Sequence, residues 1–470
     1  MPLKPPFTLL GTFAHSPARD HLEIIEKGLV CVDRDGWIVN VCRLGQPAYQ
    51  EVLKTALSSE QLVETDTGTF IFPGMVDLHI HAPQWPQIGQ VLHRALQEWL
   101  EQYTFPLEAR YSDTKFAKQV YKDLVSTLIA NGTTTGVYFS TIHQDATQVL
   151  AQVCLDLGQR AFVGKVVMDH EEQCPDYYRD HSIDAALAGT VESIEFIRKS
   201  KLNSSALVQP MVTPRFIPSC SDAVLRGLGQ IAADYQCRVH THCSESDWEH
   251  QFVIDRFGRT DTVMLHEFGL LQRNTILAHS NYISEQDMDL IKDVGAGIAH
   301  CPLSNIYFSH SVFPLRKALD KGLRVGLGTD ISGGPSPSLF ENCRYAISSS
   351  RMLEDGVDPS RGSSDRGSSN SRINFKEAFW LATAGGAEAL DIPVGRFEKG
   401  YKFDALLIDP HVLGTNIPRS ALGAPAEDLF QAIVYNCARV TIRNVWVDGI
   451  SRHSSKMVGA TGIEPVTPAV

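Results

Sequence analysis

Between about residues 70 and 390 the chain alternates short apolar strand-like runs with helix-like segments, and no other feature restricts its possible folds as strongly. Eight runs stand out, at 72–81, 133–139, 161–168, 206–214, 238–243, 275–279, 297–301 and 323–329. They are rich in Val, Ile, Leu and Thr, and several are nearly continuous apolar stretches, as strands buried on both faces require. The helical pattern between them is easy to check. Phe116, Val120, Leu124 and Leu128 recur every four residues, Val125 and Ile129 widen the stripe, and Asn131-Gly132 supplies a stop. Eight strands alternating with helices predict a parallel (β/α)8 barrel of the TIM type over 72–390. A doubly wound open sheet is the competing arrangement.

The two ends read differently. Residues 23–42 have the pattern of a hairpin with Asp35-Gly36 near the turn, and 400–408 and 440–447 are further strand-like runs. Residues 1–71 and 391–452 are therefore expected to build one small β-sandwich domain that the barrel interrupts. The Ser-, Gly- and Arg-rich stretch 359–371 reads as a loop insertion, and 453–470 as a disordered tail.

Composition narrows the function classes. No apolar run approaches the roughly 20 residues that span a bilayer, and the N-terminus lacks a signal-peptide pattern. A cytoplasmic protein with no membrane partner is expected. The net charge of −12 argues against a nucleic-acid-binding surface. The ten cysteines are scattered with no C-x-x-C pair, which reads as reduced thiols rather than a disulfide framework.

The segment PGMVDLHIH, residues 73–81, carries the first chemical signal. Side chains two apart on a strand share a face, so His79 and His81 point the same way from the end of the first barrel strand. That end is the rim where barrel active sites sit, and imidazole is a common zinc ligand. An H-x-H pair alone is weak; repetition at later strand ends strengthens it. His242 closes the fifth run, His279 the sixth, and Asp330 follows the eighth. Metal-competent residues at four of eight matching strand ends predict a zinc site built from His79, His81, His242, His279 and Asp330.

These blocks, with the H-x-x-E of His242–Glu245, LAHS, AHCPLSN and GLGTD, resemble the amidohydrolase superfamily, in its branch of mononuclear zinc deaminases. The fourth strand end reads VTPRF and offers no Lys of the kind binuclear members carboxylate, so a single metal is expected; Lys165, within the third run, reads as a structural lysine. More narrowly, HIHAPQW, the stretches 98–111, 131–143 and 158–169, VTPRF and HCPLSN resemble the guanine deaminase family. That resemblance implies hydrolysis of guanine to xanthine and ammonia, and a homodimer. Metal-activated water would attack the amino-bearing ring carbon, with Asp330 as its base and Glu245 as proton shuttle. His81, Gln84, Arg215, Phe216, His242, Glu245 and Asp330 would contact the purine; a planar amide and a guanidinium fork suit a 6-oxo purine. His240 and His300 admit either a supporting or a purely structural role, and whether Trp85 lines the pocket stays open.

Two rival readings remain at this level. One is a hydrolase of the same branch acting on another aminopyrimidine, a triazine or a modified adenosine. The other is a barrel scaffold that has lost its chemistry, which the retention of all five candidate ligands and Glu245 disfavours. The small zinc deaminase fold is excluded because its P-C-x-x-C signature is absent.

Overall fold

The structure is a computed structural model that describes residues 4–455. In chain order the first strands are β1 (Phe7–Ala18), β2 (His21–Val32), β3 (Ile38–Cys42), β4 (Leu62–Glu64) and β5 (Phe70–Pro73). Then come β6 (Met75–His81), β7 (Thr133–Phe139), β8 (Arg160–Val167), β9 (Val208–Pro214) and β10 (Arg238–Cys243). The remainder are β11 (Thr275–His279), β12 (Gly297–His300), β13 (Arg324–Leu327), β14 (Ala405–Ile408), β15 (Ile442–Val447) and β16 (Ile450–Ser454).

Strands β6 to β13 pair in chain order, every pair parallel. The chain just past β13 brings the eighth strand back to the first. Asp330 N donates to His79 O at 2.8 Å and His81 N donates to Ile331 O at 2.9 Å. The result is the TIM-type barrel, and the contacts that complete it run through three of the residues singled out from sequence. Gly328 permits the approach, since a Cβ there would stand 2.9 Å from His79 Cβ.

Helices cover the outside for the reason the periodicity gave. The helix Thr114–Ala130 is capped by Asp113, whose side chain accepts from the Lys115 and Phe116 N–H groups. Val120, Leu124, Val125, Leu128 and Ile129 are buried, and Phe116 packs partly covered at the edge. Burying each large aliphatic chain of this stripe stabilises the fold by about 1.5–3 kcal/mol. Gly132, at φ 95°, turns the chain into β7.

The remaining strands form a second sheet from both chain ends, ordered β16-β15-β14-β5-β1-β2-β3, with β4 beside β1. Ile38 on β3 and Trp446 on β15 lie far apart in that order yet share one apolar core with Phe7, Phe13 and Phe403, so the sheet curls over itself. Arg160 at the start of β8 ties it to the barrel through Asp404 and Asp448, at 3.2 and 2.6 Å.

Two boundaries differ from the sequence expectation. The apolar run 72–81 is two strands: β5 pairs with β14 and β1 of the small sheet, and β6 begins the barrel after Gly74. A Cβ at Gly74 would lie 2.2 Å from Thr134 Oγ1, so the switch between sheets needs a residue without a side chain. At the other end β16 continues to Ser454, with His453 paired to Val445, so the first residues assigned to a disordered tail are sheet. Edge pairing with β15 supplies the order that composition did not announce. Residues 456–470 lie outside those described. The stretch 359–371 contains no helix or strand, and no described helix is long and apolar enough to cross a membrane.

Candidate active site

The barrel strands deliver the five candidate ligands to one point. His79 and His81 end β6, His242 stands one residue from the end of β10, His279 ends β11, and Asp330 follows β13. Asp330 Oδ1 lies 3.2 Å from His79 Nε2 and 3.4 Å from His81 Nε2, and its Oδ2 is 3.7 Å from His279 Nε2. His81 Nε2 and His242 Nε2 are 3.1 Å apart. Three overlapping triads, His79–His242–His279, His79–His81–Asp330 and Glu245–His279–Asp330, each bring their ligand atoms within 4.8 Å of one another. His279 and Asp330 take positive φ values of 67° and 48°. A non-glycine residue occupies that region at a cost and only when its surroundings hold it there.

Electrostatics favour ligation. All four imidazoles are buried, and desolvation, reinforced by their mutual repulsion in the case of His79, His81 and His242, holds those three well below the ordinary histidine range; burial lowers His279 also. They are therefore neutral, with ring lone pairs to offer. His79 Nε2 and His279 Nε2 are buried and have no hydrogen-bond partner among the described residues. Orphaned buried nitrogens facing a carboxylate are what a cation site requires, so the donor set fits a divalent metal with nitrogen preference.

Each ring is held by its other nitrogen. His242 Nδ1 donates to Arg215 O at 2.6 Å and His279 Nδ1 to Asn305 Oδ1 at 2.9 Å, which fixes Nε2 as the free lone pair. His79 Nδ1 meets His240 Nε2 at 2.8 Å. The question left open for His240 thus has a geometric answer: it stands behind a candidate ligand and orients it. His300 packs at a tilt against Phe313, with ring centroids 5.2 Å apart, and belongs to none of the triads. Lys165 pairs with Asp180 at 2.8 Å, away from the cluster.

Above the cluster lies a pocket lined by His81, Gln84, Arg215, Phe216, His242, Glu245 and Asp330, with Leu96, Trp99, Leu100 and Phe308 closing it. Every residue expected to contact a purine is on its wall. Trp85 is not; its indole N–H donates to Asp123 on the outer helix at 2.6 Å. Glu245 Oε1 is 3.6 Å from His279 Nε2. Burial, with the Asp330 charge adding to it, raises the Glu245 carboxyl well above the usual range.

Sequence reasoning missed five contributors. Asp77, inside PGMVDLHIH, accepts from Thr329 N and Thr329 Oγ1 at 2.9 and 2.6 Å and so fastens β6 to the loop carrying Asp330; its position on the His79 face was a readable signal. Asn305, the last residue of HCPLSN, holds His279. Glu108 and Tyr178 form a buried network with Gln84 and Arg215 for which no local pattern exists. Beneath Glu245, Glu249 Oε2 accepts the Glu245 N–H at 2.7 Å.

Glu249 and Asp261 form a buried acid pair. Burial and their mutual repulsion push Glu249 well up, and burial raises Asp261 to about 7. The folded state keeps protons there that the unfolded chain releases near pH 4, so this contribution to stability is lost as pH rises from about 4 toward and beyond 7. Glu249→Gln supplies a permanent amide donor and should flatten that slope. The expected result is that the variant's melting temperature, taken relative to that of the unaltered chain, rises between pH 5 and pH 8; an unchanged or falling difference overturns the reading.

The comparisons with known proteins agree with this geometry. The model of the Amidohydrolase family matches residues 70–450. A guanine deaminase of Dictyostelium discoideum is 35% identical over 444 residues, covering 90% of this chain and 93% of that protein. The guanine deaminase of Mus musculus is 34% identical over 456 residues, covering 95% and 96%. Among solved structures, a guanine deaminase from C. acetobutylicum with bound guanine in the active site superposes with a TM-score of 0.83 at 32% identity, covering 95% of this chain and 99% of that one. The chain belongs to the amidohydrolase family, in the branch that holds the guanine deaminases.

Proposed function

We propose that the chain hydrolyses guanine to xanthine and ammonia at a site built around one zinc ion. The observation that carries the reading is the convergence, in one pocket, of a nitrogen-rich metal cluster, an acid beside it and a polar pair suited to a purine. His79, His81, His242, His279 and Asp330 would hold the ion. When bound, zinc supplies the Lewis acidity that makes a water molecule nucleophilic near neutral pH.

The chain's own groups do the rest. Asp330 accepts the proton that water loses on attack. Glu245, whose carboxyl burial pushes well above the usual range, gives its proton to the ring nitrogen beside the carbon under attack. It then takes the proton of the added hydroxyl as the carbonyl forms and passes it to the amine, which leaves as ammonia, and the proton held by Asp330 returns to it. Positioned acid–base groups of this kind contribute about 10²–10⁴ in rate. Gln84 and Arg215 face the purine edge with hydrogen-bond donors, and Leu96, Trp99, Leu100 and Phe308 limit water in the pocket.

The similarity to guanine deaminases supports guanine over the other ring systems. The test is direct: zinc-loaded protein is given guanine, an aminopyrimidine, a triazine and a modified adenosine. Xanthine formation with the highest kcat/KM of the set is expected. Turnover of another ring without xanthine production would point to a neighbouring activity. A homodimer rests on the resemblance and a cytoplasmic location on the sequence pattern; sedimentation and cell fractionation test them.

A further inference from the structure

We propose that Glu108, which contacts no substrate, is the positioning residue that sets the polarity of the purine-recognition wall; the inference rests on the guanine reading above. Glu108 is fully buried in the short helix Phe105–Ala109 and is not among the residues lining the pocket. Its Oε1 accepts from Gln84 Nε2 at 3.0 Å and Arg215 Nη2 at 3.3 Å. Its Oε2 accepts from Arg215 Nη1 and from the Tyr178 hydroxyl, each at 2.7 Å. One carboxylate thus holds both polar residues assigned to the base, residues 131 positions apart in the chain.

The consequence follows from donor and acceptor bookkeeping. An ionised carboxylate only accepts, so the Gln84 amide must turn its NH2 toward Glu108. Its oxygen then accepts from Ser332 N at 3.2 Å, which leaves no freedom to flip. Arg215 commits one hydrogen on each Nη to Glu108 and packs over the Phe105 ring at 5.0 Å. What remains for the pocket is a fixed set of N–H donors, suited to a carbonyl oxygen and bare ring nitrogens. A purine with an amino group at C6 meets that wall donor to donor. Glu108 also neutralises a guanidinium that is 3% exposed and stands near a cation site; a buried charge without its partner is costly. Tyr178 in turn steadies the carboxylate.

The test compares guanine with 2,6-diaminopurine, which carries the same reacting amino group at C2 and differs at C6. In zinc-loaded Glu108→Gln one acceptor oxygen becomes an N–H donor, so Gln84 or Arg215 meets it donor to donor and the pair loses part of its hold. Expected are a rise of about tenfold or more in KM for guanine and a similar fall in its kcat/KM preference over 2,6-diaminopurine, with kcat within about threefold. Xanthine binding measured by calorimetry should weaken in parallel. In an Arg215→Met background the same change should add little, because it acts through the residue already removed. Tyr178→Phe, a milder loss at the same carboxylate, should move KM and preference in the same direction and carries the test if Glu108→Gln does not fold. Failure of the unaltered chain to deaminate guanine overturns the functional reading. Guanine turnover with KM and preference unchanged in the variants, or additive losses in the double variant, overturns the role of Glu108.

Discussion

Glu245→Gln is expected to leave the chain folded and able to hold about one zinc ion, while guanine turnover falls by about 10²–10⁴. The main chain at this residue is pinned independently of its side chain. Its N–H donates to Glu249 Oε2 at 2.7 Å, and its carbonyl accepts from Asn281 Nδ2 at 2.9 Å. Asn281 also accepts from Asn305, which holds His279, so the acid and a candidate ligand are braced by the same pair of amides. Glutamine keeps the size of the side chain and can neither release nor take up a proton. The loss should therefore fall on kcat, with KM for guanine changed by less than about threefold. Metal content by atomic emission and initial rates by absorbance decide it. Turnover within tenfold of the unaltered chain would remove Glu245 from the chemistry and leave it a wall residue.

The parts of this molecule that were legible in sequence are those governed by local repetition. Barrel strands are buried on both faces, so each announces itself as an apolar run, and the residue at which the run stops lies at the rim. That is why His79, His81, His242, His279 and Asp330 are legible as a set, and each stands 3.1–3.7 Å from another of them. The division of 70–81 at Gly74 was illegible because β5 and β6 are equally apolar; only their hydrogen-bond partners differ. Glu108 was passed over for another reason. It sits in a helix of five residues with ordinary helical composition, and its meaning comes from Arg215, 107 positions later. His240 lay between the two cases. Strand period placed it on the face of His242, but only the 2.8 Å approach to His79 Nδ1 distinguishes an orienting residue from a ligand. Long-range polar pairing leaves no periodic trace, and the polar floor of this pocket is made of such pairs.

Asp330→Asn separates two roles that one carboxylate is assigned here. The backbone N–H of Asp330 is bound to His79 O at 2.8 Å, so an isosteric amide should stay in place with the barrel contact intact. Its negative charge is lost, however, and one end of the new amide turns donor hydrogens toward the cluster. Zinc should bind more weakly, by about 10–100-fold or more, since a change of that size already follows when a group supporting a ligand is removed. Raising the zinc concentration can offset that loss by mass action. It cannot restore an acceptor for the proton that water surrenders, because an amide is not a base at neutral pH. The expected outcome is occupancy recovered at high zinc, with turnover still about 10³-fold down. Recovery of guanine turnover to within tenfold at saturating zinc would reduce Asp330 to a ligand, and the proton would then have to leave through Glu245, the other carboxylate within reach of His279.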